Sequence, residues 1–172
     1  MDRDEREQLL TALESGSRAL MDALSGISEE AARRSPGDGS WSVLECVEHL
    51  GVTEDYLFSL ILNAQALAAA VVNSAREAAI LQRGPDRTRR VQAPDAARPT
   101  GRFITLADAA QHFAASRART VEFVRGCTGD LRAQSMKHPV LGEVNCYENL
   151  LLMAIHPQRH AKQIEEIKAA LK

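Results

Sequence analysis

The chain is poor in the residues that hold small or secreted domains together. Its three cysteines, Cys46, Cys127 and Cys146, are an odd number with no CxxC or finger-like spacing, which excludes a disulfide framework and a structural zinc finger. They read as reduced, intracellular thiols. Aromatic residues make up only 4% of the chain, while alanine and leucine abound, a balance that favours helix over sheet. No apolar run approaches a membrane span, and the charged opening Met1-Asp2-Arg3-Asp4-Glu5-Arg6-Glu7 lacks the apolar stretch of a signal peptide. A soluble, cytoplasmic protein is expected. An excess of positive charge is also missing: the formal net charge is −2, so nucleic acid is not an expected partner.

What is present is globular in composition, with 45% apolar and 26% charged residues over 172 positions. That length suits a single domain, residues 1–172, able to bury a core without a structural metal. Any bound metal is therefore available for function.

Periodicity predicts an all-α chain of four main helices with two long connections, between helices 2 and 3 and between helices 3 and 4. Leu9, Leu13, Leu20 and Leu24 give an amphipathic first helix over roughly Asp4 to Ser25, with Gly26 placed to end it. A turn-rich stretch around Ser35-Pro36-Gly37-Asp38-Gly39-Ser40 follows, with room for one short helical turn at Glu29 to Arg33. Ser42-Val43-Leu44-Glu45 matches a capping box and starts the second helix. Its stripe Val43, Val47, Leu50, Leu57, Ile61 continues through Val72, which predicts about 30 residues and about 45 Å. Ser74-Ala75-Arg76-Glu77 is a second capping box, opening a short extra helix to about Arg83 after a break near Asn73.

Residues 84–100 hold Pro85, Pro94 and Pro99 together with Arg87, Arg89, Arg90 and Arg98. This connection is long enough to run back along helix 2, so helices 2 and 3 could be parallel neighbours. Its arginines could attract an anionic substrate or simply face solvent. Thr105-Leu106-Ala107-Asp108 opens the third helix, which Gly126 or Gly129 ends; Asp130 to Val144 is expected to be irregular. Asn145-Cys146-Tyr147-Glu148 caps a fourth helix running to Leu171.

That last helix carries the chemistry. Its stripe Met153, His156, His160, Ile164, Ile167, Leu171 places two histidines one turn apart on the buried face, a metal-ligand spacing. Buried imidazoles need partners, either hydrogen-bonding groups or a metal. Pro157 lies between them and should kink or loosen the helix, since it has no amide for the Met153 carbonyl. His49, four residues after Glu45 on helix 2, is the third candidate ligand, with Trp41 able to pack over the same end. Three neutral imidazoles would leave a position for water or substrate. Cys46 is turned away from His49. His112 reads as a surface residue and His138 as a loop histidine that could approach the bundle mouth.

Two segments, Trp41-Ser42-Val43-Leu44-Glu45-Cys46-Val47-Glu48-His49-Leu50 and His156-Pro157-Gln158-Arg159-His160-Ala161-Lys162-Gln163-Ile164, together resemble the DinB-like (YfiT-like) family of metal-dependent proteins. The resemblance extends over nearly the whole chain. It implies a four-helix bundle with a divalent metal, usually nickel or zinc, on His49, His156 and His160. It further implies a small-molecule substrate and, as in thiol-dependent S-transferases of the family, a low-molecular-weight thiol such as bacillithiol or mycothiol as cosubstrate; hydrolysis is the other expected chemistry. A divalent cation on neutral ligands lowers the pKa of bound water or thiol toward neutrality. Glu45 is a candidate proton shuttle or partner of a ligand ring, its competing role being the capping box. Gln163 could support a ligand or bridge helices. A noncatalytic metal-binding bundle is the alternative, and spare apolar faces could support a homodimer.

Overall fold

The computed structural model describes residues 1–37, 39–88 and 91–171. Four long helices form the bundle: α1 (Arg3–Leu24), α3 (Val43–Leu62), α5 (Leu106–Gly126) and α6 (Cys146–Ala170). Two short ones, α2 (Glu29–Arg33) and α4 (Ser74–Arg83), lie in the connections. A small antiparallel sheet in the order β1 (Gln65–Ala66), β2 (Gln134–His138), β3 (Gly142–Asn145) packs beside them. Among the described residues, no helix is long and apolar enough to cross a membrane.

Local chemistry sets the helix starts. Asp2 with Glu5, Ser42 with Glu45 and Asn145 with Glu148 form reciprocal capping boxes, while Thr105 caps α5 through the amide of Asp108. Gly26 takes a φ of 74° just beyond α1, a conformation glycine adopts without strain. The α4 cap departs from expectation: Asn73, rather than Ser74, accepts the amide of Arg76.

The long helices pair as two parallel couples. Along α3 and α5, Gly51 meets His112 and Phe113, Glu54 meets Arg117, and Phe58 meets Phe123. Along α1 and α6, Gly16 meets Ala154 and Pro157, and Ala23 meets Lys168. Both sets run in the same direction, and each couple opposes the other, since Leu57 lies by Asn149 while His49 lies by His156. The expected parallel relation of the second and third predicted helices is therefore present. Parallel neighbours need long crossovers, and the residues between α3 and α5 supply one.

Two expectations are corrected. The second helix does not continue to Val72 but ends at Leu62, because the backbone beyond it is claimed by other segments: Leu67 N–H donates to the Ala133 carbonyl and Val71 N–H to that of Arg132. The Ala/Val run that mimicked a helical stripe leaves Val71 and Val72 exposed. Residues 130–144 are not irregular either; they form a 3₁₀ turn and the β2–β3 hairpin, whose Met136 and His138 point inward.

The core falls into two apolar clusters. One gathers around Leu9, Leu13, Leu57, Val124, Leu150 and Met153, the other around Leu20, Val43, Val47, Phe113 and Ile164. Between them runs a layer of buried polar side chains: Glu54, Arg117, Ser116, Thr120, His49 and His160.

Candidate metal centre

His49 reaches the centre from the second turn of α3, and His156 and His160 reach it from α6. Their Nε2 atoms converge: that of His156 lies 3.3 Å from that of His49 and 3.0 Å from that of His160. All three candidate ligand atoms fall within 4.8 Å of one another. Nitrogens bound about 2.05 Å from one zinc-sized ion at a tetrahedral angle would lie about 3.3 Å apart, so the spacing suits a shared divalent cation.

Hydrogen bonding prepares His49 for that role. Its Nδ1–H donates to the Ala97 carbonyl at 2.5 Å, which leaves the Nε2 lone pair directed at the other two rings. Ala97 ends the 3₁₀ turn Asp95–Ala97, and the chain just beyond it is held by Glu48. The buried Glu48 carboxylate accepts the backbone N–H groups of Thr100 at 2.7 Å and of Gly101 and Arg102 at 3.2 Å each. Sequence reasoning missed Glu48. Its only signal was a carboxylate beside the apolar stripe of α3, and the three amides that explain it lie about fifty residues away.

Burial lowers the pKa of His49 and lowers those of His156 and His160 well below the usual imidazole range; each of the latter pair is also disfavoured as a cation by its histidine neighbours. All three rings are thus held neutral at pH 7, the form that ligates metal. The Trp41 indole covers the group, with ring centroids 4.8 Å from His49 and 6.2 Å from His160. Thr53 Oγ1 stands 3.3 Å from His49 Nδ1.

The triad opens on a cavity of about 840 Å³ whose walls include Leu57, Ile80, Leu152, Ile155 and His138. That volume suits a small molecule.

Other predicted residues are placed as follows. Glu45 is engaged in its capping box, accepting the Ser42 N–H at 2.7 Å. Gln163 accepts from Arg87 at 3.0 Å, while the same guanidinium grips Glu166 through Nε and Nη2. Arg98 pairs locally with Asp95, and Arg89 and Arg90 lie outside the described residues. Cys46 is buried, and desolvation pushes its thiol up to about 12. His112 is half-buried rather than a plain surface residue, bonded to Asp55 at 2.9 Å and filling the space over Gly51. His138 does line the cavity at the bundle mouth.

Pro157 leaves α6 continuous from Cys146 to Ala170. The Met153 carbonyl that lacks its helical partner accepts instead from Arg117 Nη2 at 2.8 Å. Beside it, Gly16 lets α1 approach so closely that a Cβ there would stand 2.2 Å from the Ala154 carbonyl oxygen.

With this geometry in view, comparison with known proteins is decisive for ancestry. Residues 12–164 match the family model of the DinB superfamily. The chain belongs to the DinB superfamily. A comparison with curated proteins gives no match. Among solved structures, YfiT from Bacillus subtilis, described as a probable metal-dependent hydrolase with an unusual four-helix bundle topology, is similar with a TM-score of 0.61 and 16% identity. The alignment covers 99% of this chain and 90% of that one. At that identity the likeness shows the fold alone, here a bundle of the two opposed parallel couples described above.

Proposed function

We propose that this chain is a divalent-metal-dependent enzyme in which His49, His156 and His160 ligate the cation, and that it activates water or a low-molecular-weight thiol against a small-molecule substrate. One observation carries the reading: three neutral imidazole nitrogens meet at the wall of a cavity large enough for a substrate. When bound, nickel or zinc would supply Lewis acidity that brings the pKa of a water or thiol toward neutrality.

The protein's own residues do the rest. The Ala97 carbonyl fixes the His49 tautomer, burial keeps the ligands unprotonated, and Trp41 shields one side of the site from solvent. The apolar walls orient the substrate against the triad. Hydrolysis is the first reaction to test, since YfiT, which shares the fold, is described as a probable metal-dependent hydrolase; thiol transfer is the second.

Protein purified without a histidine tag is expected to hold near-stoichiometric divalent metal by mass spectrometry, and His160→Ala to lose it. A metal-free wild type that cannot be loaded would overturn the assignment. Loaded protein assayed with activated esters and amides, then with bacterial thiols and electrophiles, separates the two nucleophiles. Turnover with neither would leave the noncatalytic bundle as the better account.

A further inference from the structure

His138 closes strand β2 at an inward position of its alternation, opposite Gly142 in the hairpin register. The hairpin's own backbone holds the ring: the N–H groups of Val140 and Leu141 both donate to Nδ1, each at 3.1 Å. A ring nitrogen that accepts two N–H groups carries no proton, so the proton of the neutral imidazole sits on Nε2. Desolvation pulls the His138 pKa down to about 4, which keeps the ring neutral at pH 7.

The Nε2–H has no hydrogen-bond partner among the described residues, yet it is not among the buried polar atoms sealed from the surface. The side chain lines the cavity that the triad opens on. It also lies close enough to His156 to weigh on that ring's charge. The result is a neutral N–H donor, fixed in tautomer by two amides, on a residue that lines the same cavity as the three candidate ligands. Aliphatic wall is supplied nearby by Leu57, Ile80, Leu152 and Ile155. Four arginines also border the cavity: Arg87 is matched by Glu166 and Gln163 and Arg76 by Glu148, and Arg83 and Arg159 line it from α4 and α6.

We propose that His138 is a ligand-binding residue of this cavity, its Nε2–H donating to the carbonyl oxygen of an aliphatic acyl compound, an ester, thioester or amide, whose chain lies along the apolar wall. The proposal rests on the cavity being the substrate site. A neutral donor beside aliphatic wall brings no charge to offset the desolvation of a free carboxylate, so an uncharged carbonyl oxygen is the acceptor this part of the cavity suits; an anionic ligand would be drawn to the arginines instead.

The test uses the full ¹⁵N-labelled chain, zinc-loaded and metal-stripped, with N-methylhexanamide as the probe. Long-range ¹H–¹⁵N spectra at pH 7 are expected to show His138 with a bare Nδ1 and a protonated Nε2; a protonated Nδ1 would overturn the proposal. Titration with the amide is expected to give saturable binding that shifts the His138 Nε2 resonance. His138→Asn, which keeps an acceptor for the two hairpin amides but removes the distal donor, is expected to weaken binding roughly 5-fold, and His138→Gln to recover part of it. Absence of saturable binding to the wild type, or equal affinity of His138→Asn, would overturn the proposal. Should the variants fail to fold, the ring spectra and the wild-type titration decide alone. Binding retained by the metal-stripped protein would stand even if the metal assignment failed, and a metallated protein indifferent to the amide would sink this proposal while leaving that assignment intact.

Discussion

Arg117 on α5 completes the hydrogen bonding of Met153 on α6: its Nη2 donates at 2.8 Å to the carbonyl that Pro157 leaves without a helical amide. The same guanidinium pairs with Glu54 at 2.9 Å and donates to the Leu13 carbonyl at 3.2 Å. Thr120 serves the other carboxylate oxygen at 2.8 Å. Burial pushes the Glu54 pKa up and that of Arg117 down, against their mutual attraction. Removing one partner therefore strands the other. Arg117→Met is expected to cost about 3–5 kcal/mol in urea unfolding. Pro157→Ala, which restores an amide below Met153, should reduce that cost in the double variant; strict additivity would show that the Met153 contact contributes nothing.

Gly16 sets how closely α1 can approach α6. A methyl there would sit 2.2 Å from the Ala154 carbonyl oxygen and 3.6 Å from Pro157 Cδ, and a backbone atom in the middle of a helix cannot step aside. Gly16→Ala is expected to destabilise the fold by about 1–3 kcal/mol, despite alanine's better helix propensity. A rise in melting temperature would contradict the close packing.

The Glu48 carboxylate hydrogen-bonds none of the three candidate ligand rings, yet it holds the backbone just after Ala97, whose carbonyl orients His49. Glu48→Gln loses charge and one acceptor oxygen while keeping nearly the same shape. Chelator competition should show metal affinity lowered about 10-fold or more, as for other groups that orient ligands from behind, with helicity by circular dichroism unchanged. Wild-type affinity in this variant would remove Glu48 from the site.

His138 gives a pH dependence of definite sign. Its folded pKa of about 4 lies below the ordinary 6.5, so between those values the unfolded chain binds the extra proton. Stability is complete above about pH 6.5 and falls as the pH drops toward 4, by at most roughly 3 kcal/mol for this group. His49, His156 and His160 act in the same direction. Denaturant unfolding from pH 7.5 to 4 should show this loss, and His138→Asn should flatten the slope by up to about 1.4 kcal/mol per pH unit.

The cysteines should differ in reactivity. Burial lifts both Cys46 and Cys146 to about 12, whereas Cys127 is half-buried at the end of α5. A thiol reagent at pH 8 should label Cys127 first, and the other two only on unfolding. Rapid labelling of Cys46 in native protein would show that α3 opens locally.

Much of this was legible in the sequence wherever the cause was local. Capping at Ser42, Thr105 and Asn145, and the stripes of α1, α5 and α6, depend on residues within a turn or two of one another. Periodicity put His156 and His160 on the buried stripe of α6 but His49 only beside that of α3, so the set of three rested on the resemblance to the family. The end of α3 and the β2–β3 hairpin were not legible, because the competing hydrogen bonds come from far along the chain: Leu67 pairs with Ala133, and Gln65 faces Ser135. The partner of the carbonyl that Pro157 frees was not legible either, because Arg117 stands forty residues earlier in the chain. The inward alternation of Met136 and His138 was readable as a strand, but five residues beside a proline give too short a pattern to decide it.

The polar layer across the bundle has one more effect. A slip of α5 by a single turn would carry Arg117 about 5.4 Å along the helix axis, away from Glu54 and Leu13 and into one of the leucine-rich halves of the core. An apolar surface alone would tolerate such a shift, since leucines replace one another at helical spacing. Buried charges do not, so the belt acts as an alignment key: it admits one stagger of the four helices, and that same stagger brings the histidines together.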